Sequence, residues 1–118
     1  MDPNWNIKAL PYKLEFMRRL TERYRDNILQ IRTPGSNIYL EARVAAGFGE
    51  AALTDFVGGF YDLAVGGFMI EQAGGKYTDS EGKPVTLQTQ VAIGTNGKIH
   101  DDMLEIVSSS YEGYKGFK

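Results

Sequence analysis

The run over residues 58–75, GGFYDLAVGGFMIEQAGG, constrains this chain more than any other stretch. Glycines lead into a single acid, Asp62, which opens an apolar segment that a second glycine pair closes. Leu63, Gly66, Ile70 and Ala73 recur three or four residues apart, so a helix is predicted over 62–73. Interior glycines such as Gly66 and Gly67 each cost a helix roughly 1 kcal/mol relative to alanine. Keeping both implies that another backbone presses close against this helix. Gly74 and Gly75 supply the left-handed stop, and Lys76 begins a strand directly afterwards.

Asp62 stands where unpaired N–H groups and the positive end of the helix dipole favour a carboxylate, as an ordinary N-cap would. A carboxylate fixed at a helix start beneath a glycine-rich loop also suits a hard divalent cation such as Mg2+. Residue chemistry alone leaves both readings open.

The rest of the chain falls into alternating elements. Residues 1–10, with Pro3, Trp5 and Asn6, lack a period and read as an irregular lead-in. From Pro11 a helix is predicted with the apolar stripe Leu14, Met17, Leu20, Tyr24 and Ile28, its charged residues forming a solvated face. A short strand over 27–33, a turn at Pro34-Gly35 and a helix over 37–46 follow. Ser36 caps that helix, and Ile38, Ala42 and Ala45 face inward. Residues 52–57 read as a buried strand. Beyond Gly75, strands over 76–78 and 84–87 are predicted to pair as a hairpin. A last strand over 90–94 leads to a closing helix marked by Met103, Leu104, Ile106 and Val107, with Asp101 and Asp102 at its positive end. Residues 108–118 read as a fraying tail. The order predicts one α/β domain over 1–118, its body at 11–107, with a mixed sheet flanked by helices.

Composition removes several classes of function. A net charge of -2 with dispersed Lys and Arg argues against nucleic acid as the main partner. The absence of cysteine excludes disulfides, thiolate metal sites and a thiol nucleophile within these residues. No apolar run reaches the roughly 18 residues of a membrane span, and no secretion signal opens the sequence, so no membrane partner and a cytoplasmic location are expected. Gly47-Phe48-Gly49-Glu50-Ala51-Ala52 fits GxGxxA superficially. That fingerprint needs a strand before and a helix after, and here the order is reversed.

Four motifs resemble one family. Arg32-Thr33-Pro34-Gly35-Ser36, Val44-Ala45-Ala46-Gly47, Tyr61-Asp62-Leu63-Ala64 and Glu71-Gln72-Ala73-Gly74-Gly75 follow, in order and spacing, the C-terminal half of the inositol monophosphatase family of Mg2+-dependent phosphatases. Gly94-Thr95-Asn96 and Ile99-His100 resemble that family's last strand and final helix entry. The resemblance implies a sheet flanked by helices, one part of an αβαβα sandwich, and hydrolysis of a phosphate ester of a polyol or sugar. It makes Asp62 a ligand of one Mg2+ ion, with Tyr61 in place of the usual tryptophan. The acid that contacts substrate hydroxyls falls on Asp55 when counted back from Asp62, and on Thr54 when counted forward from Gly47. By its residue type alone, Asp55 also reads as a solvent-facing acid at a strand end.

The remaining ligands of that family come from a Glu-Glu pair and a DPxDGT segment, and neither occurs in these 118 residues. One carboxylate cannot hold a catalytic magnesium cluster, because each ion needs several oxygen ligands. The chain alone is therefore expected to be inactive and to need an N-terminal half. The alternative is a non-catalytic binding or oligomerisation module that retains half of the phosphatase architecture. No catalytic residue is assigned: His100 reads as a capping or packing group, Arg32 as structural near the Gly35-Ser36 turn, and Glu71 as a helix-surface or hydrogen-bonding group.

Overall fold

The computed structural model describes residues 7–27, 31, 37–55 and 61–116. A 3-10 turn, Ile7–Ala9, leads into α1 (Leu10–Arg23), followed by α2 (Asn37–Ala45), β1 (Ala51–Thr54), α3 (Tyr61–Gln72), β2 (Lys76–Asp79), β3 (Ala92–Thr95) and α4 (His100–Ser110). Among the described residues no helix is long and apolar enough to cross a membrane. The expectations for Trp5, for Ser36 as a cap and for most of the strand at 27–33 lie outside the described residues; Ile31, within it, is exposed.

The sheet has the order β1-β3-β2, with both pairings antiparallel. Its period of two sends alternate residues to opposite sides. Leu53 and Ile93 face a layer made by α1 and α4, where Phe16, Met103, Ile106, Val107 and Tyr111 pack. Ala52 and Ala92 face the other layer, where Val44 of α2, Leu63 and Ile70 of α3 and Tyr77 of β2 pack. The sheet thus lies between two helical layers, as the α/β reading expects.

α1 begins with Pro11 in its first turn, where a missing N–H costs nothing. Its buried face differs from the predicted stripe: Leu14 is 55% exposed, whereas Phe16 is buried and Tyr12, Met17, Leu20 and Tyr24 pack beside it. The aromatic rings turn the helix, since Tyr12 stacks on Tyr111 and large rings bury more area than one leucine. At its end, Arg23 pairs with Asp102 at 2.7 Å and the Tyr24 hydroxyl donates to Asp102 at 2.9 Å, fastening α1 to the first turn of α4.

α2 stops at Gly47, which takes φ +88. Its inner face holds Glu41 and Val44, both buried, with Leu40 and Ala45 beside them; Ala42 is only half-buried. The glycine-rich segment that follows runs from helix to strand, the reverse of a dinucleotide fingerprint.

α3 has the predicted bounds to within a residue, and Gly74 takes φ +90 to end it. The reason for Gly66 and Gly67 differs from the expected close backbone. A Cβ at Gly66 would overlap the Glu41 carboxyl of α2, and one at Gly67 would overlap the Tyr77 ring of β2. Two neighbouring side chains require the glycines.

The hairpin over 76–87 does not form. β2 pairs with β3 instead, and 84–87 is irregular, with side chains bonding the backbone of the turn before it and of Thr86 within it. The Asp79 carboxylate accepts the N–H groups of Glu81 and Lys83 at 2.8 and 2.9 Å, and the Thr86 N–H donates to Thr89 Oγ1 at 2.8 Å. These bonds replace a strand ladder. Within the predicted tail, residues 108–110 belong to α4 and the segment over 111–116 packs instead of fraying: Tyr111 is 6% exposed, and Tyr114 lies against the same core.

Candidate functional site

Asp62 is the second residue of α3, one helical turn before Gly66, so its position belongs to the stripe of the helix that faces α2. Its side chain lies outside the described residues. The helix it opens is apolar on two sides. Leu63 and Ile70 are buried toward the sheet, while Val65 and Phe68 stand 49% and 64% exposed.

Asp55 follows β1 directly, and it is not solvent-facing. The residue is 4% exposed. Its Oδ1 lies 3.2 Å from the Lys13 ammonium, its Oδ2 accepts the Tyr111 hydroxyl at 2.5 Å, and its backbone carbonyl accepts the Tyr114 hydroxyl at 2.9 Å. Burial first, then the Asp55 charge, pushes the Tyr111 hydroxyl well above the ordinary tyrosine range. Thr54, the other position to which the spacing pointed, is also buried and donates to Glu41 Oε1 at 3.3 Å. Asp55 and Asp62 thus lie at the two ends of the connection from β1 to α3.

His100 is 2% exposed and holds β2, β3 and α4 together. Thr78 gives its hydroxyl hydrogen to the Asp79 carbonyl, so at 2.8 Å it accepts from His100 Nε2–H. Thr95 accepts the Gly97 N–H and gives its own hydrogen to Nδ1 at 2.9 Å. This network assigns the neutral Nε2–H tautomer. Burial, with the Lys76 charge behind it, lowers the imidazole below its ordinary range, against a smaller opposite pull from Asp101. These contacts make His100 a packed internal connector. Glu71 is exposed on the last turn of α3, and Arg32 lies outside the described residues.

Three participants escaped the sequence reading. Lys13 carried a usable signal, since it shares a stripe with Met17, Leu20 and Tyr24 and is a cation on an apolar face. Glu41 and Tyr111 carried none.

The described residues do not fit a magnesium centre by themselves. Among them no three His, Asp or Glu side chains converge on a point that could hold a metal ion. Asp55 is engaged by Lys13 and Tyr111, and Glu41 is sealed between α2 and α3. Mg2+ requires near-octahedral oxygen coordination, which this set does not provide. An open cleft of about 340 Å3 lies elsewhere, between the β2–β3 connection and Tyr111 and Tyr114.

No protein-family model matches the chain. Over 103 residues, 87% of its length, it is 30% identical to a fructose-1,6-bisphosphatase/inositol-1-monophosphatase of Thermotoga maritima, and it covers 40% of that protein. In three dimensions it is similar to an inositol monophosphatase of Thermotoga maritima, with TM-score 0.70 and 30% identity over 84% of this chain and 39% of that one. The extragenic suppressor protein SuhB of Bartonella henselae gives TM-score 0.70 and 25% identity over 83% and 39%. The inositol monophosphatase of Anabaena gives 0.67 and 25% over 91% and 38%. The chain spans about 40% of the length of the proteins it matches. Its relatives and structural neighbours are inositol monophosphatase and SuhB proteins, and the resemblance carried by the four motifs holds.

Proposed function

We propose that this chain is the C-terminal portion of an inositol monophosphatase-like, Mg2+-dependent phosphomonoesterase, inactive by itself. In this reading Asp62 supplies one magnesium ligand at the start of α3. The other ligands come from a section carrying the Glu-Glu pair and the DPxDGT segment, in the same polypeptide or in a partner. The substrate is a phosphate ester of a polyol or sugar.

The observation that carries the reading is the similarity over 87% of this chain to only 40% of a phosphatase. The two-sided character of α3 supports it. A helix apolar on both faces belongs between two layers, and the outward Val65 and Phe68 provide apolar surface for a second one.

The test is to mix the chain with a section bearing the missing motifs and follow Mg2+-dependent phosphate release. The mixture is expected to be active when neither part is, and Asp62→Asn to abolish the gain. No gain over the added section alone contradicts the reading. A stable oligomer of the chain in sedimentation, together with that failure, favours a non-catalytic association module.

A further inference from the structure

His100 is the only histidine of the chain, and its ring closes a series of hydrogen bonds that all run in one direction. The Gly97 N–H donates to Thr95 Oγ1 at 3.0 Å, and the Thr95 hydroxyl donates to Nδ1 at 2.9 Å. On the far side of the ring, Nε2–H donates to Thr78 Oγ1 at 2.8 Å, and the Thr78 hydroxyl donates to the Asp79 carbonyl at 2.9 Å. The series thus starts at a backbone N–H of the β3–α4 loop and ends at a backbone carbonyl of β2. Every hydrogen in it has an acceptor. Thr95 is fully buried and His100 is 2% exposed, so solvent does not replace the inner links.

Such a series has no place for another hydrogen. A proton added at Nδ1 points at the hydroxyl hydrogen of Thr95. If that hydroxyl turns to accept it, its own hydrogen loses the ring nitrogen as acceptor, and a buried donor without an acceptor is costly. The charges that act on the ring are Lys76 of β2 and Asp101 of α4, while β3 brings only neutral residues. Burial disfavours the imidazolium most, Lys76 adds to that, and Asp101 opposes both less strongly. The first turn of α4, which His100 opens, also carries Asp102 and through it holds Arg23 and Tyr24 at the end of α1.

We propose that this series is an acid-sensitive clasp: it closes only on the neutral ring of His100, and protonation frees the β3–α4 loop over 96–99 and the first turn of α4 from the sheet. Thr95 pairs with Ala51 at the start of β1, the end of the sheet opposite to the one from which the chain runs on to Asp62. The clasp therefore stands without the phosphatase reading.

A single histidine makes the ring directly observable. Long-range nitrogen–proton NMR correlation on the full chain reads the tautomer, and amide hydrogen exchange at Gly97, corrected for its intrinsic pH dependence, reads the loop. An Nε2–H ring is expected at about pH 7, with Gly97 protection falling about tenfold or more by about pH 5 and that of Ile70 in α3 falling much less. An Nδ1–H tautomer overturns the clasp. So does Gly97 protection that stays constant once the ring is protonated, or an equal loss at Gly97 and Ile70. Thr95→Val keeps the shape and removes the hydroxyl; it is expected to abolish the extra protection of Gly97 at about pH 7, and Thr95→Ser to keep both the protection and its pH dependence. Protection retained in Thr95→Val overturns the clasp. If that variant does not fold, Thr78→Val, at the half-buried end of the series, is expected to move the Nε2–H proton resonance upfield as its acceptor is lost, and an unmoved resonance overturns the clasp.

Discussion

Glu41 of α2 occupies the space that a side chain at Gly66 of α3 would need. The carboxyl is fully buried there and accepts the Thr54 hydroxyl, so α2, α3 and the end of β1 are joined at one point. Gly66→Ala gains roughly 1 kcal/mol of helix propensity, and the overlap costs more, because overpacking a filled core typically costs about 1–3 kcal/mol and Glu41 has no open space to retreat into. A net loss of up to about 2 kcal/mol is expected from urea unfolding. Gly74→Ala provides the contrast: no atom lies within 4 Å, yet φ is +90, and the expected loss of about 1 kcal/mol comes from backbone strain alone.

His100 makes stability depend on pH in a stated direction. Its folded pKa lies below the ordinary 6.5, so below that pH the unfolded chain binds the extra proton more readily than the fold does. The stabilisation is complete above 6.5 and is lost as pH falls through the lower folded value. The urea midpoint of the wild type is expected to drop from about pH 7 to about pH 5 more steeply than that of His100→Gln, which cannot titrate there. Equal slopes would show that the imidazole is not held neutral by Thr78 and Thr95.

The segment after α4 is structural. Removing residues 111–118 deletes the Tyr111 and Tyr114 rings from the core and both hydroxyl bonds to Asp55. A loss of about 3–5 kcal/mol is expected, the range for deleting a large buried ring. An unchanged melting temperature would restore the picture of a frayed end.

The ion ladder on the outside of α1 is expected to add little to stability. Hydrogen bonding to Arg18, then to Arg19, holds the Glu15 carboxyl down to about 2. Its favourable contribution would be present above 4.5 and lost toward that lower value, but water and salt screen such exposed pairs. Glu15→Gln is therefore expected to leave the urea midpoint at neutral pH and physiological salt within experimental error.

The parts of the fold that could be read from the sequence are those whose causes are local. The α3 helix and its Gly74 stop follow from spacing and a positive φ, and α4 follows from Met103, Leu104, Ile106 and Val107. What could not be read depends on distant partners. Tyr111 is ordered by Asp55, 56 residues away, and the burial of Glu41 becomes visible only when α2 meets Gly66. Val85, Thr86 and Leu87 are strand-forming types, but Asp79 bonds the backbone of the preceding turn at Glu81 and Lys83, and Thr89 takes the Thr86 N–H that a ladder would need. The place of Asp62 in the first turn of α3 was legible from the glycines that precede the helix, while its role as a magnesium ligand is the proposal itself. The spacing before Asp62 left Asp55 and Thr54 both open, and both are buried in different internal contacts.

Magnesium titration by calorimetry tests the central claim most directly, comparing the chain alone, the chain assembled with a section carrying the missing acidic motifs, and that assembly with Asp62→Asn. The account predicts no specific heat from the chain alone, saturable binding by the assembly, and binding weakened about 10-fold or more by the substitution. Tight binding by the isolated chain, or an Asp62→Asn assembly that binds magnesium as the wild type does, would contradict it.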